Sequence, residues 1–348
     1  MNGTIYDFAG LPRLAAFGPD SRVRADARRL AATAGAPARI AMVSNPRSRR
    51  NKLAGGVPAA RPGVIAAAPR SRAELRDVMI RFAAEGVDLV IVDGGDGTVR
   101  DVLTCSGDVW GARWPRFAVL PSGKTNALAL DLGVPADWTL DQLLDAARAG
   151  RTATRSPIAV ERRDQPGGPV RGFLFGTGAF VAATALAQRT HRAGAFNGVA
   201  VGLALSWAVA QTLFGSATGS WRRGERLGLR HDTRSVAMHG AELAVDRNQY
   251  LMLASTLERL PLNIRPFGAA RPGLKTLTID APPRRILSAV GPLLAGSEAA
   301  WLERAGFHRV DAPALDLDLE GAFTLDGENF PGGAYRLTEA APIGFVVP

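Results

Sequence analysis

The sequence predicts an α/β domain of the doubly wound kind, followed by a mostly antiparallel β domain. Three observations carry this. From residue 39 to about 150, short apolar runs alternate with amphipathic helical stretches. Among them, Leu89-Val90-Ile91-Val92 is unbroken and rich in β-branched residues, as in a strand buried on both faces. From Arg155 onward the texture changes to short apolar runs separated by turn residues. A chain of 348 residues fits two domains.

Residues 1–37 form a weakly patterned extension, with a short basic helix over 22–34 and no assigned chemistry. The run Arg39-Ile40-Ala41-Met42-Val43 opens the domain as a strand. The nine residues from Ser44 to Lys52 follow as a polar, cationic turn. In a parallel sheet such a turn opens at the carboxyl edge, where ligands bind; a solvated basic loop is the plainer alternative. Val64-Ile65-Ala66 reads as a second strand, and residues 71–85 as a helix with Leu75, Val78, Met79 and Phe82 at helical spacing.

The strand at 89–92 leads into Asp93-Gly94-Gly95-Asp96-Gly97-Thr98, after which Val99 resumes a helical pattern. Three glycines in four positions turn tightly and carry no Cβ to hold a ligand away. Strand, glycine turn and helix start together make an anion site, read here as one for nucleotide phosphates. A Cβ at Gly95 or Gly97 is expected to block close approach or to strain a left-handed turn. Asp96 beside phosphates implies a cation between them, Mg²⁺, or a carboxylate that orients an acceptor hydroxyl. The alternative is Asp96 as the helix N-cap.

Phe117-Ala118-Val119-Leu120 is the next strand. It ends in Pro121-Ser122-Gly123-Lys124-Thr125-Asn126, and a helix over 127–132 continues from it. Gly123-Lys124-Thr125 matches the end of a Walker A loop, but Ala118 stands where the first glycine belongs and Pro121 removes a donor. Lys124 still suits phosphate binding as a point charge.

In the second part, strands are expected over 157–161, 171–175, 227–230, 241–245, 250–254 and 274–279, with a helical insert at 197–214. The stretch 198–214 is short for a membrane span and is interrupted by Trp207 and Gln211, so it reads as a buried helix. Trp221-Arg222-Arg223, with Arg226 and Arg230, suits an anionic membrane surface; a solvated basic loop is the alternative. Leu315-Asp316-Leu317-Asp318-Leu319-Glu320 alternates, as in a half-wet strand, and 315–325 reads as one strand. Asp326-Gly327-Glu328 then forms a turn, and 335–338 and 343–347 are further apolar runs.

Composition narrows the partners. The formal charge is +10, carried almost wholly by arginine, with Lys52, Lys124 and Lys275 the only lysines. Nucleotides, nucleic acid or an anionic membrane are the partners such a charge favours, although Ala, Arg, Gly and Pro are all abundant, as genomic bias alone produces. Cys105 is the only cysteine, which excludes a disulfide within the chain and fits a reducing compartment. The first residues lack a basic start followed by an apolar core, so no secretory leader is expected. His191, His231, His239 and His308 show no metal-ligand spacing.

Four separated pieces fall in one order: Asn45-Pro46-x-Ser48, Gly94-Gly95-Asp96-Gly97-Thr98, Pro121-x-Gly123-x-x-Asn126 and Asp326-Gly327-Glu328. Together they resemble the catalytic domain of the diacylglycerol kinase family, which includes bacterial lipid kinases and sphingosine kinases. The resemblance runs over roughly residues 38–348. It implies a nucleotide-binding α/β domain over 38–155, a β-sandwich lipid-substrate domain over 156–325, and a last segment, 326–348, returning to the first. It also implies transfer of the γ-phosphate of ATP, with its Mg²⁺, to a lipid hydroxyl. With the lone cysteine and the Trp221-Arg222-Arg223 cluster, a cytoplasmic protein attached peripherally to membranes is expected, with no nucleic-acid partner. Asn45, Pro46, Ser48, Gly94, Gly95, Asp96, Gly97, Thr98, Asp101, Gly123, Lys124, Thr125 and Asn126 would hold ATP. Glu328 stands at the family's proton acceptor, with Asp326 supporting it by orienting Glu328 or holding Mg²⁺, and Asp96 completes the catalytic set. The chain departs from the family at Lys124-Thr125, where Thr-Gly is usual, and at Ala66-Ala67-Ala68-Pro69, where a threonine is frequent. It departs again over 269–274, where bacterial relatives carry an Asp-Gly associated with structural Mg²⁺. The alternatives are a phosphotransferase like NAD kinase, which shares the glycine turn, and an inactive nucleotide- or lipid-binding protein.

Overall fold

The computed structural model describes residues 37–348 apart from 54–60, 108, 112, 166, 193–223, 232–244 and 284. The expected helices at 22–34 and 197–214, and the Trp221-Arg222-Arg223 cluster, lie outside the described residues. The elements begin with β1 (Ile40–Ser44), α1 (Arg49–Leu53), β2 (Val64–Ala67), α2 (Arg72–Ala84), β3 (Leu89–Gly94) and α3 (Asp96–Cys105). They continue with β4 (Arg116–Pro121), α4 (Ala127–Asp131), α5 (Leu140–Arg148) and β5 (Thr152–Arg155). Then come β6 (Ile158–Arg162), β7 (Val170–Gly172), β8 (Leu174–Gly178), α6 (Ala179–Arg192), β9 (Glu225–His231), β10 (Val245–Ser255) and β11 (Lys275–Asp280). The last are α7 (Ile286–Leu294), α8 (Ala300–Arg304), β12 (Phe307–Asp311), β13 (Ala314–Leu319), β14 (Phe323–Leu325), β15 (Glu328–Phe330), β16 (Gly333–Glu339) and β17 (Ile343–Val346). They form two compact units: one of Met1–Ala159, Pro166–Gly172 and Ala340–Pro348, the other of Val160–Gln165 and Phe173–Glu339.

The first unit is built on a six-stranded sheet of order β2-β1-β3-β4-β17-β5. β1 to β4 pair in parallel, β17 joins β4 in parallel, and β5 closes the sheet antiparallel to β17. This is the doubly wound α/β arrangement, with a segment near the C-terminus completing the sheet. Every residue of β3 is buried, as its unbroken apolar run requires. Phe117 of β4 and Phe345 of β17 face each other, ring centroids 6.2 Å apart. On α2, Leu75, Met79 and Phe82 form the buried stripe, and the Ser71 Oγ accepts the Glu74 N–H at 3.2 Å, which sets where the helix starts. α5 starts with a capping box between Thr139 and Gln142.

The second unit is antiparallel and β-rich. Its strands run β15-β14-β8-β10-β9-β13-β16-β6, with β11 joining β10 and β12 joining β11. Phe175, Phe323, Phe330 and Tyr335 pack their rings at 4.8–4.9 Å around Phe323. Four expected strands come out differently here. The run at 171–175 is broken at Phe173, whose N–H is taken by the Asp326 carboxylate and not by a strand ladder. The runs at 241–245 and 250–254 are joined from Val245 into β10, because register with β9 carries the polar residues between them through the sheet; residues 241–244 lie outside the described ones. The run at 315–325 is broken after Leu319, where Gly332 packs so closely that a Cβ there would sit 2.7–2.9 Å from the carbonyls of Leu319, Glu320 and Gly321.

Candidate functional site

In the parallel sheet, Ser44 is level with Asp93, and Gly94 with Pro121. The loops after β1, β3 and β4 therefore open side by side at one carboxyl edge. The strand order reverses at β1 and β3, where doubly wound sheets bind ligands. The loop after β1 is not wholly a turn, as expected from its polarity: Arg49–Leu53 close it as the one-turn helix α1. Asn45 donates from Nδ2 to Thr98 Oγ1 at 2.9 Å, and its Oδ1 accepts the Arg47 N–H at 2.9 Å. The loop after β1 is thereby fastened to the helix that follows the glycine turn.

The turn itself corrects two expectations. Gly95, at φ −97°, is the N-cap of α3, and Asp96 is the first residue of the helix. Asp96 thus does not cap its own helix. Its Oδ1 accepts the Leu128 N–H at 3.2 Å, and the backbone N–H groups of Asn126 and Ala127 also face it. It caps the start of α4. Burial pushes the Asp96 carboxyl above its ordinary value, and those backbone donors oppose the shift. Nor is the turn left-handed: Gly94, Gly95 and Gly97 are not among the glycines of positive φ. Glycine is required there by crowding. A Cβ on Gly94 would lie 2.5 Å from Thr98, and one on Gly95 would lie 2.9 Å from the Cα of Gly123. At Gly97 the nearest atom would be 3.8 Å away, on Arg100, so this position has room.

The loop after β4 answers the turn. Asn126 is left-handed at φ 51°, which asparagine tolerates, and its Oδ1 accepts the Gly123 N–H at 3.0 Å. The Ser122 N–H donates to Gly94 O at 3.1 Å. Lys124 and Thr125 stand exposed at the loop tip. Pro46 is half-buried in the loop after β1. Ser48 is buried, and its hydroxyl has no hydrogen-bond partner among the described residues. Asp101 is buried, and its Oδ1 accepts from Arg100 Nε and Nη2 at 2.9 and 2.7 Å.

Three residues with no assigned role join this assembly: Asp93, Asn51 and Ser122. All are buried, and Asp93 accepts from both of the others. The available signal was Asp93 itself, a charge closing a strand that is otherwise apolar and buried on both faces.

The acidic pair lies in the second unit. Leu325 pairs with Glu328, so Asp326 and Gly327 are the two-residue loop of a β14–β15 hairpin. Both have positive φ, 47° and 79°, as a type I′ turn requires, and Asp-Gly is a favoured pair for it. Asp326 is not solvated: its carboxylate accepts the N–H of Phe173 at 3.1 Å and of Leu174 at 2.9 Å, and its own N–H donates to Leu174 O at 2.9 Å. Glu328 is half-buried at the start of β15.

Residues 44–159 match the diacylglycerol kinase catalytic domain. The stretch is thus similar to the catalytic domain to which its motifs had pointed. It covers the glycine turn and both flanking loops, but not the acidic hairpin. A probable lipid kinase, YegS, from Escherichia coli O127:H6 (strain E2348/69 / EPEC) is 39% identical over 88 residues, which are 24% of this chain and 29% of that protein. A probable lipid kinase YegS-like protein from Enterobacter sp. (strain 638) is 35% identical over 68 residues, 20% of this chain and 22% of that protein. The chain thus spans under a third of the length of the curated relatives it matches. A diacylglycerol kinase from Bacillus anthracis str. Sterne shares the fold over 90% of this chain and 97% of its own, with a TM-score of 0.57 at 14% identity. Among the described residues, no group of three or more His, Cys, Asp or Glu side chains could hold a metal ion, and no helix is long and apolar enough to cross a membrane.

Proposed function

We propose that this chain is an ATP-dependent lipid kinase, transferring the γ-phosphate of ATP to the hydroxyl of diacylglycerol or a related lipid at an anionic membrane surface in the cytoplasm. The observation that carries the reading is the backbone-to-backbone approach of Gly95 and Gly123 at the carboxyl edge of the parallel sheet. It packs the two loops main chain against main chain at the sheet edge where phosphates would meet them. Ser48 supports the fit: its buried hydroxyl has no partner among the described residues and suits a phosphate oxygen. Lys124, exposed at the loop tip, adds a mobile positive charge.

In this reading the main chain around Gly94, Gly95 and Gly123 meets the phosphates, with the close packing of these glycines holding the two loops together. Asn45, Pro46 and Thr98 shape one wall, and Thr125 and Asn126 the other. Asp101 acts from beneath, through Arg100. Mg²⁺ carried in with ATP supplies charge neutralisation, and Asp96 is the carboxylate assigned toward it. A lipid hydroxyl is a poor nucleophile until its proton has an acceptor. Glu328 is assigned that role, with Asp326 holding the hairpin in place.

The test is transfer from γ-labelled ATP in the presence of mixed-lipid micelles, repeated with NAD. Label in a lipid product supports the reading. Label in NAD alone would favour the NAD kinase alternative, and ATP binding without transfer would favour an inactive binding protein.

A further inference from the structure

We infer that Asp93 is a positioning residue for the nucleotide-facing loops, setting the distance of the loops after β1 and β4 from the glycine turn between them; the inference rests on the nucleotide reading above. Asp93 is the fifth residue of β3 and is 1% exposed. A carboxylate in such a strand is costly unless its oxygens are hydrogen-bonded. Here they are, and to both neighbours. Oδ2 accepts from Asn51 Nδ2 on α1 at 2.8 Å, and Oδ1 accepts from the Ser122 hydroxyl. Its main-chain carbonyl accepts the Asn45 N–H at 2.9 Å.

These bonds close into a ring. Asn51 Nδ2 also reaches Asn45 O at 3.0 Å, Asn45 reaches Thr98 on α3, and the Ser122 N–H reaches Gly94 O. The Arg50 N–H donates to Ser122 O at 3.1 Å, which ties the two outer loops directly. No loop of the three can shift without breaking a buried bond to another, and buried networks hold geometry only when complete. Asp93 is the member that touches both outer loops through its side chain. It acts on a ligand through Gly94-Gly95 and Ser122-Gly123, not by contact.

The experiment compares Asp93→Asn, Ser122→Ala and the double variant by equilibrium binding of ATP, with hydrogen exchange of the peptides 45–52, 94–98 and 121–127. An asparagine offers one acceptor where the carboxylate offers two, so the Ser122 hydroxyl must turn round and accept from the new amide, a neutral bond in place of a charge-assisted one. ATP affinity is expected to fall roughly tenfold in Asp93→Asn, the size of one buried hydrogen bond, and to fall no further in the double variant. Exchange is expected to rise in all three peptides together while the rest of the chain keeps its protection. If Asp93→Asn does not fold, Ser122→Ala alone must weaken ATP binding and loosen the peptides 94–98 and 121–127. Equal ATP affinity in a folded Asp93→Asn, or exchange that rises uniformly over the whole chain, overturns the inference. Should the wild-type protein itself fail to bind ATP, the nucleotide reading falls, and the exchange comparison decides the positioning role: joint loosening upholds it, and an unchanged pattern rejects it.

Discussion

A Cβ added to Gly123 would stand 2.5 Å from the Cα of Gly95 and 2.7 Å from the Asn126 Oδ1 that accepts the Gly123 N–H. Neither neighbour is the flexible end of a long side chain. Gly123→Ala must therefore push the two loops apart. It is expected to cost roughly 1–3 kcal/mol of stability, as overpacking does, and to weaken ATP binding with it. Thermal unfolding and ATP titration check both.

Gly97→Ala is the contrasting variant. Crowding and left-handed strain were the reasons to expect harm there, and neither holds, since the position is open and its φ is not positive. Within α3 the substitution is expected to be neutral or to stabilise by up to about 1 kcal/mol through helix propensity, with an unchanged ATP titration. A raised requirement for ATP in Gly97→Ala would place the phosphates against this residue.

Asp96 gives a pH dependence. Its carboxyl is shifted up by burial, against the opposing pull of the backbone donors of Asn126, Ala127 and Leu128. A raised value in the folded state means that the folded protein binds the proton more tightly than the unfolded chain. The stability linked to it is fully present below the ordinary carboxylate value of 3.8 and is lost as pH rises through the folded value. Asp96→Asn removes this dependence, and its oxygen still accepts from Leu128. The variant is expected to melt no lower than wild type at pH 7, and the gap between them to close on acidification. With Asp96 assigned toward the cation, transfer is expected to be lost in the same variant; near-normal turnover would leave Asp96 as a cap and nothing more.

What was legible in the sequence follows from which forces act locally. β3 and the buried face of α2 follow from hydrophobic period, which each segment carries alone. The Asp-Gly turn at 326–327 follows from the left-handed preference of those two residues. The role of Asp96 was not legible, because its partner Leu128 is 32 residues away and the bond depends on how β3 and β4 are registered. The break at Phe173 was hidden for the same reason: the acceptor of its N–H, Asp326, lies 153 residues further on. The Asp93 network needed three loops brought to one sheet edge. Only the cost of a charge in an apolar strand hinted at it.

Asp326 is expected to matter first for folding. Its carboxylate satisfies the N–H groups of both Phe173 and Leu174, and its φ of 47° suits Asp or Asn better than most residues. Asp326→Ala orphans two backbone donors and strains the turn, for an expected loss of roughly 2–4 kcal/mol. Asp326→Asn keeps the turn and one acceptor, for about 1 kcal/mol. Equal denaturation midpoints for wild type and Asp326→Ala would remove the tether from the account.

Glu328 is the residue on which the proton-transfer proposal turns, and the hairpin allows a clean test. It sits half-buried at the start of β15, paired by backbone with Leu325, so the strand ladder fixes its main chain. Glu328→Gln preserves size and strand pairing and removes the capacity to take a proton. Stability and ATP binding are expected to stay near wild type, while lipid phosphorylation falls by roughly 10²–10⁴, the range of general-base catalysis. Asp326→Asn provides the comparison: it perturbs the hairpin and leaves the base intact, so its turnover loss should track its loss of stability and recover on cooling. A Glu328→Gln enzyme that phosphorylates lipid at the wild-type rate would move the base elsewhere. Asp96 would then be the first candidate to examine, since it is the carboxylate held beside both glycine loops.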